Sequence, residues 1–334
     1  MKPLQVRDPQ SRGNPRLRFR PTRRGDLGEC IALLPAWLGP QVFPPADMAA
    51  LWSRLLDEPS ITSTVVEDLS QPVGQRIQGW GTGLVLPPEW VIQLGLSASP
   101  LRPAAPVVPR LYAALLAGRL PLLGDRALGE INARGQLHFM NLHYTQRHAD
   151  LGDDRALAVL SVANEAFRAA AAGYWMQAMH FESSVRDAPM FSSAGFPQVP
   201  YAEASTQTML PDDQRLVFFG IGRDEARASL PGTSVRHAFE HSPPRYRLSA
   251  TQRRLLWRAM FDESDEEVMQ TLGVSAHGLK KLWRGIYERI ADVEPEFFGD
   301  EPGDDAGKRG PEKRRQVLAY VRQRPEELRP WFVG

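Results

Sequence analysis

The stretch Leu248–Ile290 constrains the fold most, because three short helices can be read from it with their ends marked. Ser249 with Gln252 and Ser264 with Glu267 have the spacing of capping boxes, in which side chain and backbone at a helix start satisfy each other's hydrogen bonds. The first helix is expected to bury Leu255, Leu256 and Ala259, the second Val268 and Leu272. Gly273, opening Gly273-Val274-Ser275, supplies the left-handed residue that ends the second helix. In the third, Leu279, Trp283, Ile286 and Ile290 make one apolar stripe.

The other side of that third helix carries His277, Lys280, Lys281 and Arg284. Cations there, across a short turn from a partner helix, have the geometry of a helix-turn-helix reader, with side chains long enough for phosphates and base edges. Between Arg245 and Ile290 the acids gather at the start of the second helix and the bases lie on the first and third, so the charge is polarised. The competing reading is a three-helix protein-interaction module whose basic face is merely solvated.

The remaining chain reads as mixed α/β. Residues 1–16 are polar and basic, a flexible arm. Leu17–Arg20 alternates as a strand, and Gly25–Leu38 has helical spacing ended by Gly39-Pro40. Ile61–Val66 and Arg76–Leu86 read as an antiparallel pair, the second loosened by Gly79, Gly81 and Gly83. Pro87–Gly124 has the density of Pro and Leu of an insertion, with a helix over Pro109–Ala117. A strand over Gln136–Tyr144, a long helix over Asp154–Ala172, a strand over Tyr174–Glu182, a short helix over Asp187–Ala194 and a strand over Gln214–Gly220 complete it. The expected domains are 17–240 and 248–334, joined by a Ser/Pro/Arg-rich linker at 241–247.

Charge and cysteine usage exclude several classes. With 40 Lys plus Arg against 39 Asp plus Glu among 334 residues, no global field announces a polyanion, so any basic surface is local. Cys30 has no second thiol and reads as a small core residue. No apolar run spans a membrane and no secretory leader opens the chain, which makes the cytoplasm the default compartment and a membrane no partner. His138, His143 and His148, five apart, fit neither one strand face nor one helix face, so no metal site is expected.

The run from Leu248 to Ile290 resembles, without a gap, the LuxR/GerE-type helix-turn-helix of transcriptional regulators, through Arg253, Leu256, Val268, Leu272–Ser275, Leu279, Lys280, Ile286 and Tyr287 among others. The resemblance implies DNA contacts by Lys280, Lys281 and Arg284; His277 joins them on the same face. It departs at Gly278, at Gly285 and at Asp262, which replaces a common Gly. An acidic Gly/Pro-rich stretch, Asp292–Gly307, precedes the fourth helix at Pro311–Gln323, which is therefore expected to dock late or loosely.

The element order before residue 240 resembles a GNAT-type acetyltransferase. Gly173–Glu182 is similar to the strand after that family's long helix, and Ala188–Phe196 to its closing A-x-L-Y-x-x-x-G-F segment. The family's phosphate-cradling turn falls on Gln146–Asp154, where the second Gly is missing and Asp150, Asp153 and Asp154 stand instead. Its thiolate-protonating Tyr falls on Phe191, which has no proton to give. Tyr144 as an acid and Glu182 as a base are weaker candidates, the first more simply core or rim, the second a solvated strand end.

These readings combine into an α+β chain in which a GNAT-like mixed α/β domain precedes an all-α helix-turn-helix. The expected function is a DNA-binding transcriptional regulator with a noncatalytic sensory or dimerisation domain, no catalytic residue and no cofactor. Its expected partners are double-stranded DNA, a second copy in a homodimer, and RNA polymerase. The alternative is an acyl-CoA-dependent N-acyltransferase fused to the DNA-binding segment.

Overall fold

A computed structural model of the chain describes residues 16–97, 101, 103–203, 209–299 and 309–333. The arm expected over residues 1–16 lies, apart from Arg16, outside them. Strands β1 (Leu17–Pro21), β2 (Ile61–Asp68), β3 (Ile77–Val85), β4 (Leu137–Gln146), β5 (Met176–Ser184), β6 (Gln198–Val199) and β7 (Leu216–Gly222) form one sheet in the order β1-β2-β3-β4-β5-β7-β6. Every neighbouring pair is antiparallel except β4 and β5. Parallel neighbours need a long crossover, and the Ala-rich helix between them supplies it.

The sheet is covered on both sides. On one side lie α1 (Leu27–Ala32), α2 (Pro45–Leu55), α3 (Pro88–Gln93) and α4 (Val108–Leu116), whose apolar residues pack with Trp80, Leu84, Met140 and Phe218. On the other lie α5 (Asp125–Ala133), the crossover helix α6 (Asp154–Ala171), α7 (Ala188–Ser193), α8 (Arg223–Ala228) and α9 (Ser234–Ala238), packed with Phe139, Met179, Phe181 and Phe219. The helix expected over Gly25–Leu38 breaks: α1 stops at Ala32, and Pro35 starts a separate 3-10 turn over Ala36–Leu38. Proline has no N–H to continue the helical ladder.

Four further helices follow: α10 (Ala250–Ala259), α11 (Asp265–Leu272), α12 (Ala276–Val293) and α13 (Arg309–Gln323). Both capping boxes form, Ser249 with Gln252 and Ser264 with Glu267, and Gly273 ends α11 at φ 64°. Asp262, too, has a left-handed φ of 56°. Contrary to the expected loose docking, α13 buries Val317 and Val321 in the core of these helices. Arg314 lies over the Trp283 ring, 4.7 Å from its centroid, and is paired with Asp265 at 2.7 Å.

The 241–247 stretch is packed and does not behave as a free linker. Pro244 and Tyr246 are buried, and His241 contacts both Trp175 and Trp331, at 5.4 and 5.1 Å, the two indoles being themselves 6.2 Å apart. The last residues return to the sheet region, where Arg329 donates to the carbonyls of Ala169 and Ala172, and Asn132 donates to that of Pro330. Gly173 allows this approach: its φ is +84°, and a Cβ there would run into the backbone of Pro325 and Glu326.

Candidate functional site

The β4–β5 pairing runs from Leu137 opposite Met176 to Asn141 opposite Phe181 and then stops, while β4 continues to Gln146 and β5 to Ser184. Each strand keeps its outer neighbour, β3 for β4 and β7 for β5, so the sheet forks at its centre. A sheet opened this way exposes backbone and side chains to a ligand without breaking its edges.

A cavity of about 550 Å³ occupies the α6 side of the fork. Its floor is Phe139, Asn141 and Tyr144 of β4 with Phe181 of β5; Ala163, Ala166, Phe167 and Ala170 of α6 form its roof; Phe191 and Phe196 close one end. The glycines of β3 make room for these rings. Tyr144 lies over Gly79 and Gly81, and a Cβ on Gly83 would collide with the Phe139 ring and Thr62 Oγ1. None of the lining residues is charged. The Tyr144 hydroxyl donates to Gln146 Oε1 at 2.6 Å, and burial raises its pKa, so it stays protonated. Asn141 Oδ1 is buried with no hydrogen-bond partner, an arrangement that costs free energy, and the half-exposed side chain lines the cavity with its remaining surface.

The α4 side is built of interlocked polar groups. Glu182, on β5 just past the last pair, accepts from the backbone N–H of Val107 and Val108, both at 2.7 Å, and from the Tyr201 hydroxyl at 2.8 Å. It thereby caps α4. One turn along that helix the Tyr112 hydroxyl reaches His143 Nδ1 on β4 at 2.9 Å, where Thr82 Oγ1 also converges at 3.1 Å. Helix α4 therefore bars the fork from prong to prong. Burial pushes Glu182 up to about 7 against its three donors, and holds His143 down to about 3, neutral at physiological pH.

Glu182 is thus no solvated strand end, and Tyr144 is a cavity wall. The histidine spacing also needs correcting. The β3–β4 register shifts between Thr82 and Gly83, leaving Leu142 as an extra residue on β4. That bulge resets the alternation and turns His138 and His143 to the same face, where His138 meets His180 at 3.1 Å. Among the described residues no group of three or more His, Cys, Asp or Glu is placed to hold a metal ion.

At the mouth, the turn before α6 satisfies itself. Asp153 caps the helix by accepting from Arg155 N at 3.0 Å, and Asp150 accepts from Gly152 N at 2.9 Å. The carboxylates expected from the sequence therefore occupy the helix N-terminus that an anion would need.

His277, Lys280, Lys281 and Arg284 are exposed on α12, and none of them lines the cavity. Arg284 is paired with Glu288 at 2.7 Å. Cavity residues missed in the sequence, such as Asn141, Phe167 and Phe181, carry no motif; only the alternation of β4 and β5 points to the face they share.

No family profile and no curated protein matches the chain. Solved structures similar to it are spermidine N-acetyltransferases from Vibrio cholerae. The dodecameric enzyme in an intermediate state has a TM-score of 0.34 and 11% identity, covering 63% of this chain and 95% of that one. The spermidine/spermine N-acetyltransferase SpeG in complex with manganese ions has 0.33 and 11%, covering 64% and 97%. At these values no residue correspondence is drawn.

The expectation of a transcription regulator with a noncatalytic first region finds no counterpart among these structures, which are acetyltransferases. Double-stranded DNA and RNA polymerase leave the set of partners with it. The molecule supplies a physical reason. Two bases of α10 turn inward, Arg253 buried against Asp125 and Arg258 paired with buried Glu263 at 3.2 Å, while Arg254 stays exposed and meets Asp57 at 3.5 Å. Cations held by intramolecular carboxylates are not free to neutralise phosphates. Among the described residues no helix is long and apolar enough to cross a membrane.

Proposed function

We propose that this chain is an N-acyltransferase of GNAT-like architecture whose acyl-thioester donor lies in the fork between β4 and β5. One observation carries this reading: the two strands part beyond Asn141 and Phe181, and the gap on the α6 side is a cavity instead of packed side chains. An extended donor arm laid there would lie alongside β4 and α6, with the Asn141 side chain as its polar contact.

Acyl transfer from a thioester needs a nucleophile, a means of holding the carbonyl and a proton for the departing sulfur. Asn141 is placed to orient the donor's amide or carbonyl groups; the proton for the departing sulfur comes from the attacking nitrogen, since the Tyr144 hydroxyl is already donated to Gln146 and a phenol whose pKa is raised by burial is a poor acid. The cavity holds no basic side chain. That suits an amine arriving uncharged, which attacks without help, better than an alcohol, which needs a base.

Coenzyme A fits this site in part. Its uncharged amide-bearing arm matches the neutral lining, whereas its diphosphate does not match the turn before α6, already capped by Asp153 and flanked by Asp150 and Asp154. No step is therefore assigned to the diphosphate.

The test is thiol release by the full chain from acetyl- and octanoyl-CoA, with a panel of primary amines and a thiol-reactive dye. Amine-dependent release above the protein-free rate, reduced about tenfold or more in Asn141→Ala, is expected for the loss of one donor contact. Release equal to the protein-free rate with every amine overturns the reading.

A further inference from the structure

We infer that the fork selects its donor by an apolar acyl chain of medium length attached to an amide-bearing arm, and takes no recognition from a diphosphate. This rests on the acyltransferase reading and narrows its substrate class. Three independent features of the cavity point the same way.

The first is charge. Every lining residue is uncharged, and its polar members are hydroxyls and carboxamides such as Thr62, Thr64, Asn141 and Asn164. A polyamine in this cavity would find no carboxylate, and a carboxylate or phosphate would find no cation. Burying either unpaired costs several kcal/mol. The α6 N-terminus is capped by its own Asp153, and that of the short α9, whose Thr233 and Ser234 line the cavity, by the Thr233 hydroxyl.

The second is the apolar surface. Phe181 of the floor touches Phe167 of the roof and Phe191 and Phe196 of the end wall at ring separations of 5.8, 5.7 and 4.3 Å, a continuous aromatic surface where floor and roof meet. Above it α6 presents Ala163, Ala166 and Ala170, each too small to fill the space. An acetyl group would leave most of this surface bare, whereas a longer chain covers it. Leu157, which also lines the cavity, remains 46% exposed, so the apolar wall continues to the mouth.

The third is the carboxamide of Asn141, which sits where the strands part. Its Oδ1 is covered, so what half-exposed Asn141 offers the cavity is its amide N–H, which donates to a carbonyl such as that of an amide or a thioester.

The experiment is calorimetric titration of the full chain with acyl-pantetheines of 2 to 10 acyl carbons, with the matching acyl-CoAs, and with octanoate. Affinity is expected to rise about fourfold per methylene, the equivalent of ~0.8 kcal/mol each, until the floor is covered. Each acyl-CoA should bind within about threefold of its acyl-pantetheine, and octanoate should not register. Binding that ignores chain length, or acyl-CoA binding a hundredfold tighter than acyl-pantetheine, overturns the inference while leaving the acyltransferase reading in place. Absence of binding by every acyl compound overturns both. Ala166→Phe, which fills the roof, should shorten the best-bound chain; an unchanged length profile in a folded variant also counts against it.

Discussion

The two faces of the fork are built on opposite principles. Toward α6 the strands present aromatic rings, glycines and one orphaned carboxamide to open space. Toward α4 they present Glu182 and His143, each tied to a helix that bridges the gap. Space is kept where the chemistry is neutral, and where groups titrate most bonds are closed, His143 Nε2 and His180 Nδ1 being left without a partner. A buried charge is tolerable only when its donors are fixed, so the α4 face has to be rigid, whereas the α6 face can stay open at the cost of lost packing.

The hardest way to break this contrast is Glu182→Ala. Buried N–H groups of Val107 and Val108 and the Tyr201 hydroxyl lose their acceptor, at about 1–3 kcal/mol for each buried group left unsatisfied. Urea denaturation should show a loss of several kcal/mol. Glu182→Gln keeps an acceptor and tests the charge. With the wild-type carboxyl at about 7 in the fold and near 4.3 unfolded, the native state holds a proton that the unfolded chain has released. This contribution to stability is complete below pH ~4.3, declines as pH rises toward about 7 and is gone above it. The glutamine variant should lack that decline; an identical pH profile would remove Glu182 from the account.

Gly83→Ala attacks the open face from below. The new methyl meets the Phe139 ring and Thr62 Oγ1, and overpacking of this kind costs about 1–3 kcal/mol. Because Phe139 is cavity floor, its only escape is into the cavity, so octanoyl donors should bind at least tenfold more weakly. A variant as stable as wild type with unchanged binding would mean that Phe139 has another place to go.

Much of the frame was legible before any coordinates. The two capping boxes and Gly273 mark helix ends through local hydrogen bonds that no tertiary contact has to supply. The long strand and the Ala-rich helix were visible through their apolar patterning. The helix at Pro45–Leu55 was not, because its start relies on Pro44 and Pro45 and has no polar cap. The fork itself was invisible. It depends on where β4 and β5 stop pairing and on a bulge at Leu142, which turned an unfavourable histidine spacing into a shared face. The cationic stripe of α12 was equally legible, yet a sequence cannot show that Arg253 of α10 turns inward to an acid as distant as Asp125.

Asn141→Leu separates binding from stability by sign. The substitution removes a buried oxygen that has no partner and keeps the side chain's bulk, so the free protein should gain about 1 kcal/mol. Donor affinity should fall about tenfold, the worth of one hydrogen bond to an amide. Thermal unfolding and titration on the same preparation read both quantities. A variant that loses stability would show that Asn141 is held by the protein and does not wait for a ligand.

The smallest effect belongs outside both faces. Arg284 is exposed on α12, and its pair with Glu288 is an i,i+4 contact on a solvated helix surface, worth about 0.3–0.5 kcal/mol. Arg284→Ala should therefore shift denaturation barely beyond error and leave donor binding untouched, since α12 contributes no residue to the cavity. The acyltransferase reading needs this indifference. If loss of a cation on α12 changed octanoyl-thioester affinity severalfold, the helices at the end of the chain would be coupled to the fork. The route would be the contacts they already make, Arg253 with Asp125 and Arg23 with Glu263 and Glu267, and the open face would no longer be independent of the region packed against it.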